Sequence, residues 1–162
     1  MLRYVEVALS HREIPDETAL CIYISGCPNH CKDCHYPELQ CADIGDILWD
    51  YFPDILDLYS LQATCVCFMG EGAAGDAEIA ELRALAALAR NEGFKVAVYS
   101  GRDVEIEPWM SCFDYVKVGS YQKDLGALDQ PTTNQRLYKQ TRHGFDDLTA
   151  VFWDREDTNG IV

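Results

Sequence analysis

Four short apolar runs, at 19–24, 63–69, 95–99 and 115–118, each stop at a loop that carries glycine. They are nearly continuous in apolar residues rather than alternating, which is the pattern of strands buried on both faces. Between the second and third runs lies the clearest helix, Asp76 to Asn91, with Ile79, Leu82, Leu85, Ala86 and Ala89 on one face. Asp76 is placed to cap its start and Gly93 to end it. An earlier helix is expected after Asp50 as cap, with Pro53 in its first turn and Ile55, Leu56 and Tyr59 beyond. Buried strands alternating with helices imply an α/β fold on a parallel sheet. In such sheets chemistry gathers at the carboxyl ends of the strands, so the glycine loops are where functional residues are to be sought. After Gly126 the pattern weakens: 129–134 reads as a turn or extended loop, 150–153 as a last short strand, and 154–160 as a polar, loose tail.

The chain has 162 residues, enough for one hydrophobic core. Its start lacks the basic and apolar regions of a signal peptide, and no run approaches the roughly 18 apolar residues of a membrane span. A cytoplasmic protein with no membrane partner is expected. Lys and Arg number 13 against 27 Asp and Glu, for a formal net charge of -14. Nucleic acid is held by cations on its phosphates, so this balance argues against a nucleic-acid partner.

Eight cysteines are many for this length. Without an export signal, metal ligands, catalytic thiols or small buried residues are the expected classes. Cys21, Cys65 and Cys67 fall in the apolar runs and are expected in the core; Cys41 and Cys112 read as loop or half-buried thiols. Cys27, Cys31 and Cys34 form a separate group, with three thiols in eight positions directly after a strand. Three cysteines do not pair off as disulfides, and thiolates so grouped suit soft metals. Structural zinc needs a fourth ligand, for which His30, His35 and Cys41 are at hand, whereas an iron–sulfur cubane on three cysteines keeps one iron open.

The spacing Cys-x-x-x-Cys-x-x-Cys after a first core strand resembles the radical S-adenosylmethionine superfamily. Met69-Gly70-Glu71-Gly72 follows the next strand, where that superfamily has a Gly-Gly-Glu-Pro segment, and Tyr99-Ser100-Gly101 ends the one after. The late segments Lys117-Val118-Gly119-Ser120-Tyr121, Leu125-Gly126-Ala127-Leu128 and Pro131-Thr132-Thr133-Asn134-Gln135-Arg136 are similar to those of anaerobic ribonucleoside-triphosphate reductase activating proteins. The resemblance runs from about Glu13 to Arg136.

It implies a single domain over 1–162, with a core at about 13–136 and a less regular segment at 137–162. The implied fold is an incomplete parallel β/α barrel of about six strands. Cys27, Cys31 and Cys34 would be the ligands of a 4Fe-4S cluster. Asp33 (through its backbone), Cys34, His35, Gly70, Glu71 and Ser100 would contact S-adenosyl-L-methionine, with Glu71 taking its amino group. One electron from a flavodoxin or ferredoxin would cleave the cofactor to methionine and a 5′-deoxyadenosyl radical. That radical would take hydrogen from a glycine of the large anaerobic ribonucleotide reductase subunit, making this chain an oxidoreductase. A radical enzyme acting on another protein or peptide, and a zinc-binding interaction module, are the alternatives. Lys117 is expected to extend its head to solvent, while Asn134 and Arg136 carry the subgroup resemblance and fit a loop-capping role as well.

Overall fold

The four buried runs become the centre of an eight-stranded open sheet in a computed structural model that describes residues 1–153. The expected loose tail at 154–160 lies outside the described residues. In chain order the elements are β1 (Arg3–Ser10), β2 (Ala19–Ile24), β3 (Asp46–Ile47), α1 (Leu48–Tyr59), β4 (Cys65–Met69), α2 (Asp76–Asn91), β5 (Lys95–Tyr99), β6 (Tyr115–Val118), β7 (Arg136–Thr141) and β8 (Gly144–Asp147). The strands lie in the order β3-β1-β2-β4-β5-β6-β7-β8.

Strands β2, β4, β5 and β6 run parallel, with Cys21 opposite Cys67 and Cys67 opposite Ala97. The outer strands are antiparallel: β1 pairs with β2 and β3 on one side, and the β7–β8 hairpin joins β6 on the other. The sheet is therefore mixed and larger than the six-stranded parallel arrangement expected. The difference lies at its edges, where connections without a crossover helix return the chain in antiparallel pairing.

Burial on both faces accounts for the unbroken apolar runs. Leu20, Ile22, Val66, Phe68, Val98 and Val116 face a core completed by Leu48, Phe52 and Leu56 of α1 and Leu82, Leu85 and Ala86 of α2. Phe68 sits at its middle, with ring centroids 5.8 Å from Phe52 and 6.2 Å from Phe113. Such a side chain contributes about 2–3 kcal/mol by leaving water. The alternate residues Ala19, Cys21, Cys65, Cys67, Ala97, Tyr99 and Tyr115 face the other way, against Ile14, Leu128, Leu137 and Phe152. The three strand cysteines are core residues, as expected, each fully buried.

Helix α2 has the predicted bounds, but Gly75 is its N-cap, and Asp76 and Glu78 lie in the first turn, where carboxylates complement the helix dipole. Helix α1 starts earlier than expected. The buried Leu48 belongs to its apolar face, so Asp50 is a first-turn residue rather than the cap and Pro53 lies inside the helix. Pro53 has no N–H to offer the preceding turn, which removes one helical hydrogen bond. The run expected as a last strand is instead a 3-10 turn, Thr149–Phe152, that presses Phe152 onto the second face.

Because β2, β4, β5 and β6 are parallel, their carboxyl ends share one edge of the sheet. The loops that leave this edge carry Cys27 to Cys34, Gly70 and Glu71, Ser100 and Arg102, and Ser120.

Candidate functional site

The cysteine loop leaves β2 at Ser25, whose hydroxyl donates to the Ile44 carbonyl at 2.9 Å. It is tied down where Cys27 N–H donates to the Leu39 carbonyl at 2.8 Å. His30 (φ 46°) and Asp33 (φ 61°) are left-handed, and the turn between Cys31 and Cys34 closes with a 3.3 Å backbone bond. Short polar residues and His enter this region more readily than other non-glycine residues. Cys27, Cys31 and Cys34 are all half-buried free thiols. Burial pushes the Cys27 thiol above its ordinary value. A bond with the Asn29 backbone partly opposes this, and Cys31, Cys34 and Glu71 add to the rise through their charges.

Glu71 lies on the adjacent loop, near enough for its charge to act on Cys27. Gly70 turns the chain at φ 120°, a conformation open to glycine, and its N–H donates to the Tyr99 carbonyl at 3.1 Å. Glu71 is 5% exposed. Its Oε2 accepts from Ser100 Oγ at 2.8 Å and Arg102 Nε at 3.0 Å, and its Oε1 accepts from Arg102 Nη2 at 3.0 Å. Arg102 also donates to both oxygens of Glu107, at 2.9 and 2.8 Å, and Trp109 Nε1 donates to Glu107 Oε2 at 2.6 Å. Bonds to Glu107 and then to Glu71 raise the Arg102 guanidinium's proton affinity; Arg102 in turn lowers the Glu107 carboxyl.

A cleft of about 480 Å³ opens beside this network, lined by Asn29, Cys31, Arg102, Asp103, Ser120 and Tyr121. Asp103 accepts from Ser120 N–H at 2.8 Å and from its hydroxyl, while Asn134 Nδ2 donates to the Ser120 carbonyl at 3.0 Å. Asn134 thus ties down this loop, one of the two roles its sequence fits. Among the expected site residues, the structure joins Glu71 to Ser100 and brings both to the loop of Cys27 and Cys31. His35 instead packs against Tyr121 at a tilt of 46°, with centroids 4.4 Å apart, and Asp33 is exposed.

Among the described residues, no three His, Cys, Asp or Glu side chains stand close enough together to hold a metal ion. The fit to a cluster rests instead on donor chemistry. Three thiols share one irregular loop, half-shielded from water, and Cys27 senses both of the others. Holding a cluster requires their side chains to turn toward a common point.

Sequence reading missed Arg102, Asp103 and Glu107. The available signal was a run of charged residues in the loop after the strand that ends at Tyr99. Lys117 is a half-buried strand residue whose head lies 4.8 Å from the centre of the Tyr99 ring. Burial lowers its proton affinity, opposed in part by Glu13, Cys67 and Cys31. The folded state therefore disfavours the ammonium, and stability should rise with pH between the lowered folded value and the ordinary one of about 10.4. Lys117→Met, similar in volume and uncharged, is expected to stabilise the fold by about 1 kcal/mol at pH 7. In urea titrations that gain should shrink toward pH 10, and a gain constant with pH would contradict the cause given.

Among the described residues no helix is long and apolar enough to cross a membrane. Compared with models of known protein families, with curated proteins and with solved structures, the chain matches none.

Proposed function

We propose that the chain is a radical S-adenosylmethionine activase that generates a glycyl radical on an anaerobic ribonucleoside-triphosphate reductase. The observation that carries this reading is the meeting of three elements at one edge of the parallel strands. These are the loop of Cys27, Cys31 and Cys34, the buried carboxylate of Glu71 at the end of β4, and Ser100 at the end of β5. Soft thiolates, a fixed acceptor for an ammonium group and an adjoining cleft are what an amino-acid–nucleoside cofactor on an iron–sulfur cluster requires.

When bound, a 4Fe-4S cluster supplies one electron for reductive cleavage of S-adenosyl-L-methionine, drawn from a donor such as flavodoxin or ferredoxin. The protein's own part is to hold and orient. Cys27, Cys31 and Cys34 supply three thiolates, and Glu71 offers its carboxylate to the methionine ammonium while Ser100 restrains that carboxylate. Asn29 packs its amide beside Gly101, where a Cβ would come within 2.4 Å of Nδ2, and so docks the cysteine loop onto the end of β5. The open sheet would correspond to a radical-enzyme partial barrel with added antiparallel edges.

The test is an anaerobic mixture of reconstituted protein, reductant, S-adenosyl-L-methionine and a large reductase subunit, read by electron paramagnetic resonance. A glycyl doublet is expected, and it should vanish when the reductase glycine is replaced by alanine. No doublet with cofactor still being cleaved would point to another protein or peptide as substrate.

A further inference from the structure

Arg102 and Glu107 have no part in the function just proposed, yet they determine the geometry of its key carboxylate. Arg102 grips Glu71 side-on, Nε to Oε2 and Nη2 to Oε1, both at 3.0 Å, while Ser100 Oγ adds a third bond at 2.8 Å. A carboxylate has about four acceptor positions. Three are filled, two of them on Oε2, which leaves the free one on Oε1. A two-point grip from a planar guanidinium also fixes rotation about the carboxylate axis, which a lysine cannot do.

The charges decide what that free position can take. Glu71 and Arg102 alone would cancel. Glu107 engages the same guanidinium and is itself held by Trp109, so the three charged groups together carry one net negative charge. The site is thus rigid and still attractive to a cation. The geometry points to Arg102 as a positioning residue, backed by Glu107, that aims Oε1 of Glu71 at the primary ammonium of the bound cofactor. This inference rests on the proposed reading of Glu71.

The experiment measures binding to cluster-loaded protein by equilibrium dialysis, without turnover. Two probes are used: S-adenosyl-L-methionine, and its analogue lacking only the α-amino group. Arg102→Gln loses the two-point grip on Glu71 but leaves the group with two net negative charges. Loss of position should weaken the first probe about tenfold and leave the second unchanged, whereas tightening of the first would show that charge and not position governs. Arg102→Lys should fall between wild type and Arg102→Gln. Glu107→Gln keeps both grips on Glu71 and provides a second variant should Arg102→Gln fail to fold; it should weaken only the amino-bearing probe. Equal weakening of both probes, or of neither, would overturn the positioning role. If Glu71→Gln itself fails to discriminate the probes, or the wild type binds neither, then the reading of Glu71 falls and this inference with it. Discrimination by Glu71→Gln but not by the Arg102 and Glu107 variants overturns this inference alone.

Discussion

Cys31→Ala protein, treated anaerobically with iron and sulfide, is expected to retain almost no cluster and to give no glycyl radical. The wild type under the same treatment should hold about four irons per chain. The reason is one of ligand count. With three thiolates a cubane has one iron open for the cofactor, whereas with two a second iron loses its protein ligand. Cys31 is also the cysteine that lines the cleft, so its loss removes a wall as well as a ligand. Cys41→Ala is the control, because Cys41 is an exposed thiol outside the group of three. It should load like the wild type. Iron and acid-labile sulfide analysis with the visible absorption spectrum reads the result, and full loading of Cys31→Ala would remove that residue from the ligand set.

The largest effect on stability is expected at the opposite end of the strands, at Glu17. Its side chain is 5% exposed and ion-paired to Lys95, at the start of β5. It also accepts from Thr64 Oγ1 at 2.6 Å and from the Tyr115 hydroxyl at 3.2 Å. Burial alone would raise the carboxyl, but bonds from Lys95, Thr64 and Tyr115 together bring it below its ordinary value. Glu17→Ala leaves the buried Tyr115 hydroxyl without its acceptor and breaks the ion pair, at an expected cost of about 3 kcal/mol. The sign of the pH dependence follows from the depressed value. The stabilisation is complete above the unfolded value of about 4.3 and is lost as pH falls through the folded one. Glu17→Gln should therefore be less stable than wild type at pH 7 and converge on it as pH falls through the lowered folded value. Urea titrations across that range provide the check, and a constant gap would assign the effect to packing instead of charge.

What the sequence disclosed depended on whether a residue's role was local. The runs at 19–24 and 95–99 are buried on both faces, so their composition alone marks them as central strands, and α2 declares itself through its apolar stripe. β1 escaped notice because Arg3–Ser10 mixes polar residues and is only half-buried along most of its length. The β7–β8 hairpin was hidden for the same reason, since Arg136–Thr141, one strand in from the sheet's edge, carries two cations and a glutamine. At the site, Glu71 and Ser100 were legible because each lies within two residues of a strand end. Arg102 was not, because its importance lies in reaching back to Glu71, 31 residues earlier, and across to Glu107. The contact of Lys117 with the Tyr99 ring was not legible either, because it joins side chains of two neighbouring strands.

The central claim, that Cys27, Cys31 and Cys34 hold a cofactor-cleaving cluster, is tested most directly by product analysis. Reconstituted protein is incubated anaerobically with dithionite and S-adenosyl-L-methionine, and 5′-deoxyadenosine is quantified by liquid chromatography alongside metal content. The predicted result is 5′-deoxyadenosine and methionine in equal amounts, with formation dependent on iron and abolished in Cys31→Ala. A protein that holds a single zinc, takes up no iron or sulfide and releases no 5′-deoxyadenosine would contradict it.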